Sequence, residues 1–197
     1  INFLYSCCMK KLFLLLLCLP MIGFGQLGNY YKSEGHPKAK GLEFEIKTPL
    51  GFDQMEADRP NIVQKWIKNP KDNNTMVQFM VLVYNMPQEM QDLKSEWKQY
   101  LKFEDGVEEM IAEYGENVSN GKYYVLDNYP GMYYENMEDF ERMDFSFTLY
   151  SKVVQVFLEK HHLTIQMSSM KKDLLEENTR LFHLLANSVI FPSQYGN

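Results

Sequence analysis

The sequence predicts an α+β domain built on a mostly antiparallel sheet. Three observations carry this: alternating apolar stretches after residue 40, a stretch of helical spacing in the middle, and a return to strand-like patterning before a final amphipathic segment. The chain has 197 residues, 45% of them apolar and 14% aromatic, enough for one such domain with a substantial core. Disordered and fibrous classes are excluded by the same composition.

Leu42, Phe44 and Ile46 alternate with Glu43, Glu45 and Lys47, which predicts a half-buried strand ended by Pro49 and Gly51. Ile62 to Lys68 reads as a second strand and Thr75 to Tyr84 as a third, joined by the turn-forming residues 69–74 into a hairpin. Met90, Leu93, Trp97, Tyr100 and Leu101 then fall on one helical face. Val107, Met110, Ile111 and Tyr114 repeat that spacing in a shorter helix, which Gly115 terminates.

Strand patterning returns at Lys122 to Leu126 and Met132 to Asn136, with a turn expected at Tyr129-Pro130-Gly131. Phe145 to Leu149, Val153 to Leu158 and Leu163 to Ser168 read as three more strands, the last two forming a hairpin around residues 159–161. Asp173 is the expected cap of a closing helix that carries Leu174, Leu181, Leu184 and Leu185, with Pro192 beyond its end. The organisation expected is a leader over 1–25, a flexible lead-in over 26–40, one α+β domain over 41–192 and a tail over 193–197.

The leader reads as a secretory signal. Lys10 and Lys11 precede an apolar run from Leu12 to Leu19, and Gly23-Phe24-Gly25 places small residues where cleavage before Gln26 needs them. Met9, directly before Lys10-Lys11, is a natural initiator, and an overlong gene start over residues 1–8 is the expectation that follows. The apolar run is broken by Pro20 and is short of the roughly 20 residues a membrane span needs. Export to the periplasm or the extracellular space is the expectation. A lipoprotein anchored through Cys18 is the competing reading, opposed by Leu17 where a small residue is expected. The three cysteines, Cys7, Cys8 and Cys18, all precede Gln26, so the exported chain is expected to hold no thiol and no disulfide.

Charge narrows the partners. Twenty Lys and Arg against 26 Asp and Glu give a net charge of −6, and no long basic run is present, which argues against nucleic acid. The four histidines lack metal-ligand spacing, with His161 and His162 adjacent and hence directed to opposite faces of a strand. No Gly-x-Ser-x-Gly, Gly-x-Gly-x-x-Gly or Gly-x-x-x-x-Gly-Lys motif occurs, so no cofactor, phosphate loop or serine nucleophile is indicated. The acidic stretch Tyr134 to Asp144 reads as a solvated loop, with a weak divalent-cation site as its alternative. The 13 methionines read as flexible core filler.

The candidate ligand-contacting residues are Arg59, Trp66, Tyr124 and Tyr133. Arg59 lies in a polar stretch beside a strand and could face an anion, or could pair with Asp58 or Glu56 in a turn. Tyr124 and Tyr133 belong to five tyrosines crowded about one turn, a composition that serves both cross-strand packing and a recognition face. Three functional readings follow. The leading one is an exported, non-enzymatic binding or protein-interaction module of unspecified partner. The second is a carrier of a small apolar or anionic ligand, and the third a hydrolase using the acidic stretch with His161 or His162.

The order of elements resembles the PsbP-like family, the fold of an extrinsic photosystem subunit shared with a Ran-binding protein of eukaryotes and many secreted bacterial proteins. The residues carrying the resemblance are the strand and Pro-Leu-Gly-Phe of Leu42 to Phe52, the hairpin from Val153 to Met167, and a closing helix with Phe182, Asn187, Ser188 and Phe191. The resemblance spans residues 42–191 and implies an αβα sandwich, a twisted sheet between helices, in a family that docks to larger partners. It assigns no partner and no binding residue.

Overall fold

Side chains alternate between two faces along each strand of a large sheet, and the faces are covered by different elements. The structure, a computed structural model, describes residues 25–86, 104–113, 115–142 and 145–196. In chain order the elements are β1 (Leu27–Lys32), β2 (Glu45–Pro49), β3 (Asp53–Met55), β4 (Ile62–Lys68), β5 (Val77–Asn85), α1 (Glu104–Ala112), β6 (Val118–Leu126), β7 (Tyr129–Arg142), β8 (Phe145–Phe157), β9 (His161–Ser169) and α2 (Lys172–Ala186). Strands β3 to β9 form one sheet in the order β3-β4-β5-β9-β8-β7-β6, with every neighbour antiparallel, and β1 pairs with β2 beside it. The α+β class is the one the sequence predicts.

One face of the sheet carries the main core. Phe79, Val81 and Val83 of β5, Leu163 and Ile165 of β9, and Val154 and Val156 of β8 pack with Phe182 and Leu185 of α2 and with Phe44 and Ile46 around β2. The next residue along each strand faces the other way. Met132 of β7 and Phe157 of β8 join Val107 and Ile111 of α1 in a separate cluster. Tyr133 packs in the first cluster and its neighbour Met132 in the second, so α1 and α2 lie on opposite sides of the sheet.

Several expectations are corrected. Residues 27–32 of the expected lead-in are a strand, and Ser33 behind them is buried, its hydroxyl donating to the Leu42 carbonyl and accepting from the Phe44 amide. No alternation marks this strand in the sequence because it lies on the two-stranded ribbon with mixed, partly exposed side chains, Tyr31 being the one that meets Phe44 and Trp66. The β6–β7 turn is Asp127-Asn128, not Tyr129-Pro130-Gly131: both residues have positive φ, 45° and 67°, as a two-residue type I′ hairpin requires. The strands expected at 145–149 and 153–158 are one continuous β8. The acidic stretch is no loop, since β7 carries it in register with β8 as far as Arg142. The cap of α2 is Lys171, whose amide donates to the Ser169 hydroxyl, and Asp173 sits in the first turn, where its charge suits the helix dipole. The expected tail is tied down through Gln194 and Tyr195, both donating to Asp127. The helix expected around residues 90–101 lies outside the described residues.

His161 and His162 face different surroundings. His161 Nε2 meets the Lys40 carbonyl at 3.1 Å, whereas the His162 ring packs at 4.8 Å from Tyr84 and 6.3 Å from Phe157. Burial, with the nearby positive charges of Lys40 and His161, pushes the His162 imidazole down to about 4. An unfolded histidine titrates near pH 6.5, so the unfolded chain binds a proton that the folded chain refuses between that value and about 4. Stability therefore falls as pH drops through this window. Urea midpoints measured from pH 7 to 4 should decline, and His162→Phe should flatten the decline.

Candidate functional site

Antiparallel register assembles the site. Lys122 of β6 lies opposite Tyr133 of β7, and Glu135 of β7 lies opposite Lys152 of β8, all on the face that α2 covers. From the helix, Glu176, Thr179 and His183 approach at helical spacing. Between these elements runs an open groove in two lobes. One, of about 360 Å³, is lined by Tyr124, Tyr133, Lys122 and His183, and the other, of about 160 Å³, by Met137, Tyr150, Leu175 and Glu176. Glu135 and Lys152 line both.

Lys152 is the centre of the polar network. Its side chain is 4% exposed, and its Nζ donates to Glu135 Oε1 at 2.8 Å and to Glu176 Oε1 at 3.1 Å. Glu135 also accepts from the Tyr133 hydroxyl at 2.6 Å and from Asn120 Nδ2 at 2.8 Å. Burial alone would raise the Glu135 pKa, but the hydrogen bonds from Lys152, Tyr133 and Asn120 outweigh it and hold the carboxyl down at about 2. Burial and the Glu135 carboxylate drive the Tyr133 phenol well above its ordinary range. Burial, then the charges of Lys152 and Lys122, lowers His183. A carboxylate at about 2 with three donors on it is a poor general base, and Tyr133 is a poor acid.

Aromatic surface fills the first lobe. The Tyr124 and His183 rings stack at 6.1 Å, and Tyr133 lies 5.4 Å from His183. The Tyr124 hydroxyl donates to Asn187 Oδ1 at 3.1 Å, and burial raises its pKa. Thr179 donates to the Leu175 carbonyl at 2.9 Å inside its own helix.

The four residues nominated from the sequence separate into two groups. Tyr124 and Tyr133 come together in the groove. Trp66 is 2% exposed in the main core, edge-on to Tyr31, and does not line the groove. Arg59 is exposed at the turn before β4, at the far end of the sheet, and its carbonyl accepts from the Ile62 amide. Sequence reasoning missed Glu135, Lys152, Glu176 and His183 as a unit. The available signal was Lys152 itself, a lone cation in the apolar alternation of β8. Among the described residues, no group of three or more His, Cys, Asp or Glu is placed to hold a metal ion, and no helix is long and apolar enough to cross a membrane.

The fold defines an α+β protein with an antiparallel seven-stranded sheet and a helix on either side. No family model matches the chain, and no curated protein does. Among solved structures it is similar to LpqN of Mycobacterium tuberculosis, described as involved in cell envelope biogenesis, at 11% identity and a TM-score of 0.48 over 82% of this chain and 89% of that one. It is similar to the Saccharomyces cerevisiae Ran-binding protein Mog1p at 12% identity and a TM-score of 0.44, over 83% and 95% of the two chains. A Pseudomonas aeruginosa protein of unknown function matches at 8% identity and a TM-score of 0.44, over 83% and 97%.

Proposed function

We propose that this protein is an exported, non-enzymatic interaction module that docks a protein partner in the groove between β6–β7 and α2. The observation that carries this reading is how the polar groups of the groove are used. Tyr133, Asn120 and Lys152 are all directed to Glu135, Tyr124 to Asn187 and Thr179 to its own helix. In the lobe around Tyr124 what faces outward is the half-buried Tyr124 and His183 rings beside the exposed Lys122, with Tyr133 buried behind them, a mixture of aromatic area and rim charge of the kind found at protein interfaces. A small polar ligand would have to compete with these bonds for its partners.

The carrier reading draws on the groove's volume, of the size that small ligands occupy. Native mass spectrometry of the protein purified from its exported fraction separates the two. A bare chain, or the chain with a second protein, is expected. A stoichiometric small-molecule adduct would overturn the docking reading in favour of a carrier.

A further inference from the structure

Strands β7 and β8 run on together beyond their neighbours. The β6–β7 pairing ends at Val118 opposite Asn136, with a last bond from the Met137 amide to the Asn117 carbonyl at 3.0 Å. On the other side, β9 pairs with β8 only from Tyr150 onward. The β7–β8 ladder nevertheless continues to Arg142 opposite Phe145. Among the described residues, 138–142 and 145–149 thus pair only with each other, as a two-stranded ribbon at the end of the sheet.

The Met137 amide points toward the line of β6, so by alternation the backbone groups of Asp139 and Glu141 point the same way, where no described strand receives them. An unpaired edge of this kind is a template for another strand. The ribbon also exposes apolar area: Met137 is 41% exposed, and Phe140, stacked on Phe147 at 5.0 Å, is 38% exposed. From this edge we infer that residues 138–142 of β7 accept an extended segment of a partner protein, alternately basic and apolar, as an added strand collinear with β6.

Charge selects the occupant. Glu138, Asp139 and Glu141 are exposed on β7, and Asp139 is held by the Thr148 hydroxyl at 2.6 Å. A second copy adding at this edge would set these carboxylates against their own kind, and like charges across a ladder repel. A segment with Lys or Arg facing Asp139 and Glu141, and apolar residues facing Phe140, satisfies both faces of the strand. Five residues of edge correspond to an added strand of about 17 Å. The edge begins where the groove's second lobe ends at Met137 and is set apart from the aromatic lobe around Tyr124 and Tyr133.

The test is fluorescence anisotropy of the purified protein with a labelled peptide of alternating lysine and valine. Saturable binding is expected, weakened at least tenfold by Asp139→Lys combined with Glu141→Lys, and unchanged by Tyr124→Ala. The same peptide N-methylated at every backbone nitrogen, which keeps its side-chain charge but has no ladder donor on either edge, is expected not to bind. Absence of binding, equal binding by the charge-reversed variant, or equal binding of the N-methylated peptide would each overturn the inference, the last by showing mere charge adhesion.

Discussion

Gly131→Ala is expected to destabilise the protein by about 3 kcal/mol, and Gly131→Val by more. A Cβ placed at Gly131 would lie 2.2 Å from the Gln155 carbonyl oxygen and 3.0 Å from the Val156 Cα, both backbone atoms of β8. No rotation of a side chain relieves such a clash; the two strands would have to separate where Gly131 pairs with Val156. A loss of that size is a large share of the roughly 5–15 kcal/mol that holds a domain together. Gly196→Ala is the control, because its added Cβ meets only the Pro192 carbonyl oxygen at an ordinary 3.8 Å. Urea unfolding should give a lowered midpoint for the first and a midpoint near that of the parent for the second. Equal midpoints would contradict the β7–β8 register.

The second large effect is expected at Lys152. Lys152→Ala removes a buried cation from two carboxylates and leaves Glu135, whose side chain is 22% exposed, with neutral donors only, at a cost of about 3 kcal/mol. Lys152→Met combined with Glu135→Gln keeps volume while removing both charges, and should recover much of the loss. The pH dependence has a definite sign. A folded pKa of about 2 for Glu135, below the ordinary 4.5, contributes stability that is fully present above about 4.5 and lost as pH falls toward 2. In Lys152→Met the Glu135 pKa should rise, seen directly in a carboxyl NMR titration, and that acid-dependent contribution should shrink. An unchanged titration would mean that Lys152 does not hold Glu135.

Most of the sheet was legible. The strand at Ile62 to Lys68 appears with the bounds expected, because a run rich in β-branched and aromatic residues is bracketed by Pro60 and by Asn69-Pro70. The hairpins β4–β5 and β8–β9 follow from turn residues between apolar runs. Errors arose where one residue type carried two meanings. Pro130-Gly131 drew the turn away from Asp127-Asn128, yet the glycine is there for close approach to β8, and the two preceding residues hold the left-handed turn. The break expected between residues 149 and 153 includes Lys152, a cation whose inward position makes sense only beside its counter-ions. Those counter-ions come from β7 and α2, and the Glu135–Lys152 pairing depends on a register that local sequence does not reveal. The groove was half visible for the same reason: tyrosines mark an aromatic face, but only the ladder places Tyr124 and Tyr133 around His183.

Docking in the groove is tested most directly by photo-crosslinking in the cell that produces the protein, with benzoylphenylalanine in place of Tyr124 and, as a control, in place of Leu50, which is 55% exposed elsewhere on the surface. One discrete protein adduct at position 124, diminished when Tyr133→Ala is added and absent at position 50, is the result expected. No adduct at position 124, or the same adducts at both positions, would contradict the groove as the docking site.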